Sequence, residues 1–301
     1  MKKNKIYLSN FNSDNSETVA YNNPLFPAYI HHGRTSTFPD YSFITHWHQD
    51  LEFVVIFEGS MTYSVNGILT ELHEGQAFMV NSRQVHSCFS KEKKECKFIC
   101  ILFSLELFQN NAWFYEKYIE PITYCSDIPF LKFENTGWQR TIIFELSKLN
   151  ENSTPFEIME HAYFIMDMLY HNISFSPQTT YKQSADMLSL KRMLLFLENN
   201  YTSQINLSDI AASGNCCQSK CCYIFKTYLH DTPITYLTKF RLQKSLNTLL
   251  NNDLSITDIA FSTGFNSSSY YCELFHKYYD QSPLQYKKEK ITDKLAQKNC
   301  R

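Results

Sequence analysis

The segment His46-Trp47-His48-Gln49-Asp50-Leu51-Glu52 sets two imidazoles and one carboxylate at alternate positions. On an extended strand successive side chains point to opposite faces, so His46, His48 and Glu52 would all face one way. Two imidazoles and a carboxylate on one face can ligate a divalent metal as a facial triad. They can equally stay neutral or paired and hydrogen-bond an organic ligand, and the spacing leaves both chemistries open.

The elements that must carry the trio read as strands. Glu52 leads into the apolar run Phe53 to Phe57, and further short runs follow at Met61 to Val65, Ile68 to Leu72 and Lys97 to Phe103. Asn66-Gly67 lies between two of them and signals a two-residue hairpin, because both positions need positive φ, while Gly59 and Gly75 mark further turns. Evenly spaced short strands without intervening helices predict an all-β antiparallel sandwich or barrel from about Thr35. Trp47, Phe57 and Tyr63 are expected in its wall or core. Beyond Phe103 apolar residues recur at helical intervals, Ile142, Ile143, Leu146 and Leu149, then Met159, Tyr163, Met166 and Tyr170. Two helices are expected, over Trp138 to Leu149 and Phe156 to Tyr170. Residues 174–184 are polar, contain Pro177 and lack a period, as a linker would.

The rest of the chain differs in charge and in kind. Its 301 residues suit about two domains, and 44% hydrophobic content excludes a scaffold that depends on staples. No run of 18 apolar residues occurs, and the first residues lack the apolar block of an export signal, so a cytoplasmic protein with no membrane partner and reduced cysteines is expected. Formal net charge is −2, yet residues 1–187 hold 14 Lys+Arg against 21 Asp+Glu, and residues 188–301 hold 14 against 9. Such asymmetry is expected when one end meets a polyanion.

That basic half contains a repeat. Asp209-Ile210-Ala211 matches Asp258-Ile259-Ala260, and Ser219, Ile224-Phe225, Tyr228, Pro233 and Tyr236 match Ser269, Leu274-Phe275, Tyr278, Pro283 and Tyr286 with one extra residue in the turn. Each unit opens on a capping pattern, Asn206-x-x-Asp209 or Ser255-x-x-Asp258, then a short helix, a glycine (Gly214 or Gly264) for the tight break, and a second helix near Cys217 or Ser267. This describes two helix-turn-helix units, whose second helices can enter the major groove. Helical spacing leaves Ser219, Cys222, Tyr223 and Lys226 exposed on the first of these helices, and Ser269, Cys272, Glu273 and His276 on the other. Pro233 to Asn251 is expected as one long helix between the units. Cys216-Cys217-x3-Cys221-Cys222 lacks zinc-finger spacing and reads as small apolar residues, with Cys217 and Cys221 on the packed face.

Residues from about Leu188 to Glu289 resemble the AraC/XylS family of transcriptional regulators. The resemblance is carried by Ile210-Ala211, Phe225-Lys226, Tyr236 with Arg241, Ile259-Ala260, Gly264-Phe265, Phe275 and SPLQYKK at 282–288. It implies base contacts from Ser219, Cys222 and Tyr223 and from Ser268, Ser269, Cys272 and Glu273, with Lys220, Lys226 and Lys277 near phosphates. Tyr223 and Glu273 depart from the arginines often found there, and a glutamate can accept from cytosine N4 but repels phosphate.

The histidine segment resembles cupin motif one, H-x-H-x3-E-x6-G, met at His46, His48, Glu52 and Gly59. Gly75 to His86 resembles motif two, with His86 at the fourth ligand position and Asn81 and Arg83 replacing the usual proline and glycine. The implied architecture is multidomain: an N-terminal segment 1–34, a cupin-like barrel 35–136, helices 137–173 for dimerisation, a linker 174–187, an all-α double helix-turn-helix domain 188–290 and a tail 291–301. The implied protein is not an enzyme but a homodimeric regulator that binds promoter DNA, meets the transcription machinery and senses a small-molecule effector, a sugar being the family's habit, through His46, His48, Glu52 and His86. No cofactor is required, although the same four residues could hold a divalent metal. The alternative is a metal-dependent cupin oxygenase or isomerase with a basic helical module.

Overall fold

Short runs rich in β-branched and aromatic residues build the first half as strands, and residues 10–11, 17–125, 127–174, 185–251 and 254–289 are described by the computed structural model. The chain divides into two units, one within Ser9–Ala185 and one within Asp186–Arg301. The expected linker at 174–184 lies almost wholly outside the described residues.

In the first unit a small ladder of β1 (Asn10–Phe11) and β2 (Glu17–Thr18) precedes β3 (Ala28–Arg34), β4 (Ser42–His46), β5 (Leu51–Glu58), β6 (Ser60–Val65), β7 (Ile68–His73), β8 (Ala77–Val80), β9 (His86–Phe89), β10 (Lys97–Phe103) and β11 (Phe130–Phe133). These form a five-stranded sheet in the order β11-β8-β5-β10-β3 and a four-stranded sheet in the order β4-β9-β6-β7. Every pairing is antiparallel. The two sheets pack face to face, with Tyr63 of β6 and Phe78 of β8 at 5.1 Å between ring centroids. Asn66 and Gly67 turn the β6–β7 hairpin with φ of 50° and 84°.

β3 starts ahead of Thr35, the expected first residue of the barrel. Its sequence AYIHHGR carries little alternation, and Gly33 is required there because a Cβ would stand 2.5 Å from the Phe98 ring. Between β10 and β11 the chain forms α1 (Ala112–Phe114), a π-helical turn (Tyr115–Ile119) and α2 (Glu120–Thr123), segments too short to leave a period in the sequence.

Helices α3 (Gly137–Lys148) and α4 (Pro155–Asn172) follow at the expected places. α4 opens on a reciprocal capping box between Thr154 and Glu157, with Pro155 in its first turn. Ile142, Leu146, Ile158, Ala162 and Ile165 of these helices join Leu51, Phe53, Val55, Ile99 and Ile101 in one core. β5 is thus covered on both sides, by helices on its odd-numbered face and by the second sheet on its even-numbered face. That double burial explains why Phe53 to Ile56 reads as a continuous apolar run.

The second unit is helical: α5 (Ala185–Asn200), α6 (Leu207–Ser213), α7 (Gln218–Leu229), α8 (Pro233–Asn251), α9 (Ile256–Ser262) and α10 (Ser268–Tyr279). The Asn206 side chain caps α6 while Asp209 returns the bond to the Asn206 amide at 2.9 Å. Ser255 accepts from the Asp258 amide at 3.1 Å. Long α8 serves both motifs: Tyr236 meets Phe225 of α7 at 5.7 Å, and Leu242, Leu246 and Leu249 pack with Ile259, Tyr271 and Phe275.

The glycines do not align as the repeat implied. Gly264 has φ of 87°, but Gly214 has φ of −84°, and the positive φ of the first turn falls on Asn215 at 53°. Asn215 is therefore the counterpart of Gly264, and the amides of the next residues, Cys216 and Phe265, both bond back to the alanine carbonyls Ala211 and Ala260. The extra residue of the second turn is Asn266. Gly214 is needed for a different reason, since a Cβ there would stand 2.7 Å from Met193.

Candidate functional site

The strand order brings the four expected barrel residues together from both sheets. His46 ends β4 and pairs directly with His86, the first residue of β9, in the four-stranded sheet. Glu52 lies on β5 of the other sheet, and His48 sits in the connection between β4 and β5. All four side chains are buried, and one ligand atom from each falls within 4.8 Å of every other. The ring centroids of His46 and His86 are 4.1 Å apart, and those of His48 and His86 are 4.9 Å apart.

Main-chain carbonyls fix how the rings point. Nδ1 of His46 lies 3.0 Å from the Ile44 carbonyl, Nδ1 of His48 lies 3.1 Å from that of Asp50, and Nδ1 of His86 lies 2.9 Å from that of Gln84. A carbonyl only accepts, so each Nδ1 carries the proton, and in a neutral ring Nε2 is left as a lone pair. The Nε2 atoms of His48 and His86 lie 3.2 Å and 2.9 Å from the same carboxylate oxygen, Oε2 of Glu52. Lone pairs aimed at a carboxylate are stable only with a proton or a metal ion between them.

Burial resists charge on His86 and, with His46 beside it, pushes the imidazole below its ordinary value. Burial would also raise Glu52, but His86 and hydrogen bonds from both imidazoles hold its carboxyl well below the usual carboxylate range. The two tendencies oppose each other: Glu52 needs a cation that burial denies to the rings. A divalent ion satisfies both, with imidazoles whose other nitrogen is held by a carbonyl, as in metal sites generally. The donor set of three imidazoles and one carboxylate fits zinc and similar transition ions better than calcium or magnesium.

Several residues around this cluster carried no motif. Tyr63, expected only as wall or core, donates its hydroxyl to Oε1 of Glu52 at 2.6 Å. Tyr21 donates to the buried Asp50 carboxylate at 3.1 Å. Arg83, standing where the cupin motif has glycine, adopts φ of 64°, donates its amide to the His48 carbonyl at 2.8 Å and lays its guanidinium over Tyr124. Of the other expected barrel residues, Trp47 is half-buried and Phe57 is 39% exposed, so neither is interior core.

In the helical unit the expected readout faces are accessible. On α7, Ser219, Tyr223 and Lys226 are exposed and Cys222 is half-buried, opposite the buried Cys221, Ile224 and Phe225. On α10, Ser269, Glu273, His276 and Lys277 are exposed and Ser268 and Cys272 are half-buried, opposite buried Tyr271 and Phe275. Lys220 is engaged, with Nζ 2.7 Å from Asp186 and 4.6 Å from the Tyr223 ring centroid. Tyr270, which no motif marked, is exposed beside Ser269 and Glu273. Cys217 corrects one expectation: it stands at the N-cap position of α7 without a side-chain bond to the helix and is exposed, so the thiols of the packed face begin at Cys221.

The helix-turn-helix domain family matches residues 210–289, and the cupin domain family matches residues 37–102. The chain is 31% identical over 251 residues to the uncharacterized HTH-type transcriptional regulator YdeC of Bacillus subtilis (strain 168), covering 81% of this chain and 85% of the other. The chain belongs to the AraC/XylS family of transcriptional regulators. Another AraC/XylS relative, the melibiose operon regulatory protein of Escherichia coli (strain K12), is 26% identical over 259 residues, covering 81% of this chain and 83% of that one. The crystal structure of ToxT from Vibrio cholerae O395 aligns over 86% of this chain and 96% of that one, with a TM-score of 0.43 at 14% identity. As an AraC/XylS member whose relatives are named as transcriptional regulators, the chain is a regulator and not an enzyme. Among its described residues no helix is long and apolar enough to cross a membrane.

Proposed function

We propose that this regulator acts in the cytoplasm as a homodimer, reads promoter duplex with α7 and α10 in adjacent major grooves, and senses a small-molecule effector in its barrel. The observation that carries the DNA reading is the repetition of a capped helix-turn-helix on one shared helix, α8. Its 19 residues at about 1.5 Å rise span roughly 28 Å, near the ~34 Å between successive major-groove faces. Ser219, Cys222 and Tyr223, and Ser268, Ser269, Cys272 and Glu273, face bases, with Lys220, Lys226 and Lys277 at phosphates. Residues 188–290 carry the DNA-binding domain, and α5, which begins at Ala185, extends it three residues into the expected linker. α3 and α4 form the dimer layer, supported by the exposed Phe144 and Phe156, and the transcription machinery is a further partner. Full-length protein is expected to retain duplex DNA with an affinity that falls linearly, in logarithms, with salt. No salt-dependent retention would overturn the reading, and a monomer in sedimentation at high micromolar concentration would overturn the dimer.

His46, His48, Glu52 and His86 form the effector site. Kinship with a protein named for the melibiose operon supports a sugar; the donor set supports a divalent metal held by three Nε2 atoms and Oε2. When bound, such an ion supplies a fixed positive charge that neutralises Glu52 and ties β4 and β9 to β5 across the two sheets. Elemental mass spectrometry of chelator-free protein, beside His48→Ala, separates the two ligands. Near one metal per chain, lost in the variant, selects the metal; none selects an organic effector.

A further inference from the structure

We propose that Tyr63 is a positioning residue of the barrel cluster, holding Glu52 to one free oxygen so that the chain presents a closed set of three nitrogens and one oxygen for a divalent ion of tetrahedral preference. The proposal rests on the metal reading of the cluster and assigns the residue that sets its coordination number.

The geometry is specific. Tyr63 lies on β6, directly opposite Cys88 of β9, and its side chain is 3% exposed. It reaches from the four-stranded sheet to β5 of the other sheet, where its hydroxyl donates to Oε1 of Glu52 at 2.6 Å. Both close imidazoles, His48 and His86, meet the other oxygen, Oε2. A carboxylate with both oxygens free can ligate through two atoms and raise the coordination number. With Oε1 committed to the Tyr63 proton, Glu52 has one oxygen to offer. Three imidazoles and that oxygen make four donors, all on buried residues. Four protein donors in a closed, buried set are the pattern of a structural or sensing zinc-type site, whereas a catalytic site keeps a position open. Tyr63 lies outside the H-x-H-x3-E-x6-G segment, so its part in the site follows from the pairing of the two sheets alone.

The test uses full-length protein stripped with chelator and titrated with cobalt(II), whose visible absorption is intense when four-coordinate and weak when six-coordinate. Wild type is expected to bind one cobalt with the intense spectrum. Tyr63→Phe is expected to bind it about 10- to 100-fold more weakly, the usual cost of losing a group that orients a ligand, and with the weaker spectrum. An unchanged affinity and spectrum would overturn the role of Tyr63 while leaving the metal site standing. No cobalt uptake by wild type would overturn both, and retention of duplex DNA by the same sample shows that the regulator reading survives that failure. Glu52→Gln gives a second route should Tyr63→Phe fold poorly. Tyr63 would hold the amide oxygen and turn the amide nitrogen toward the imidazoles, abolishing uptake. Adding Tyr63→Phe lets the amide turn and is expected to restore part of the uptake; no recovery would count against the proposal.

Discussion

Glycines at the two turns of the helical unit show how one residue type serves two physical needs. Gly264 combines a φ of 87° with a position where a Cβ would stand 2.1 Å from the Tyr201 carbonyl oxygen. Left-handed strain alone costs about 1–3 kcal/mol in a residue with a Cβ, and backbone oxygen has nowhere to retreat. Gly264→Ala is therefore expected to lose more than about 2 kcal/mol in urea unfolding. Gly214→Ala has no left-handed strain and crowds the side chain of buried Met193, which must repack, and is expected to lose less than Gly264→Ala, about 1 kcal/mol. Equal losses would sink the distinction. Asn206 and Ser255 were legible as caps because their partners lie three residues on. The register of Gly264 with Asn215 was not, because identical letters at Gly214 and Gly264 hid different backbone angles.

At the scale of elements, α7 carries only positive charge on its exposed face, whereas α10 carries a glutamate beside its lysine. Lys226 is exposed on α7, and Glu273 is exposed on α10 beside Lys277. Lys226→Ala is expected to reduce the slope of log affinity against log salt by about one and weaken binding alike for every sequence. Glu273→Gln is expected to strengthen binding to unrelated duplexes, because it removes an anion from the face proposed to meet polyanionic DNA. Weaker binding confined to duplexes that carry one particular base pair at the contacted position would show that Glu273 accepts from a base. The cap of α4 gives a purely structural control: Thr154→Ala removes the hydroxyl that accepts from the Glu157 amide, leaving the Thr154 amide bonded to the Glu157 carboxylate, and is expected to cost about 1 kcal/mol in unfolding of the barrel unit. Helix periods and caps made these elements readable. The short helices between β10 and β11 stayed unread because three to five residues cannot establish a period.

For the whole molecule, a regulator requires that its effector bind unequally to two states of the chain, since equal affinity shifts nothing. Linkage then demands reciprocity. Whatever factor the barrel's ligand imposes on DNA affinity, duplex DNA must impose on the ligand's affinity. Titrating cobalt into full-length protein with and without operator-containing duplex measures one side; DNA retention with and without cobalt measures the other. Unequal factors at equilibrium would rule out a single coupled pair of sites. A factor of one in both directions would make the metal a structural brace of the barrel and leave sensing to another ligand.

Sequence by itself determined the two kinds of unit and the long shared helix, because these rest on short-range spacing, while the family and the four barrel residues came from motifs that resemble known families. The H-x-H-x3-E spacing marks His46, His48 and Glu52 as a group, but not by strand parity, since they fall on β4, in the connection and on β5 of the other sheet; capping and periodicity place α6 to α10. Tertiary structure alone decided what surrounds those residues. Antiparallel pairing of β4 with β9 and the packing of one sheet on the other bring His86 to His46 and Tyr63 to Glu52, contacts between residues 40 and 11 positions apart in chain that no local period connects. The direction of each imidazole was also beyond the sequence, since it depends on which carbonyl each Nδ1 meets. Local patterns report propensity and face; the partner of a buried polar group is settled only when two sheets close over it.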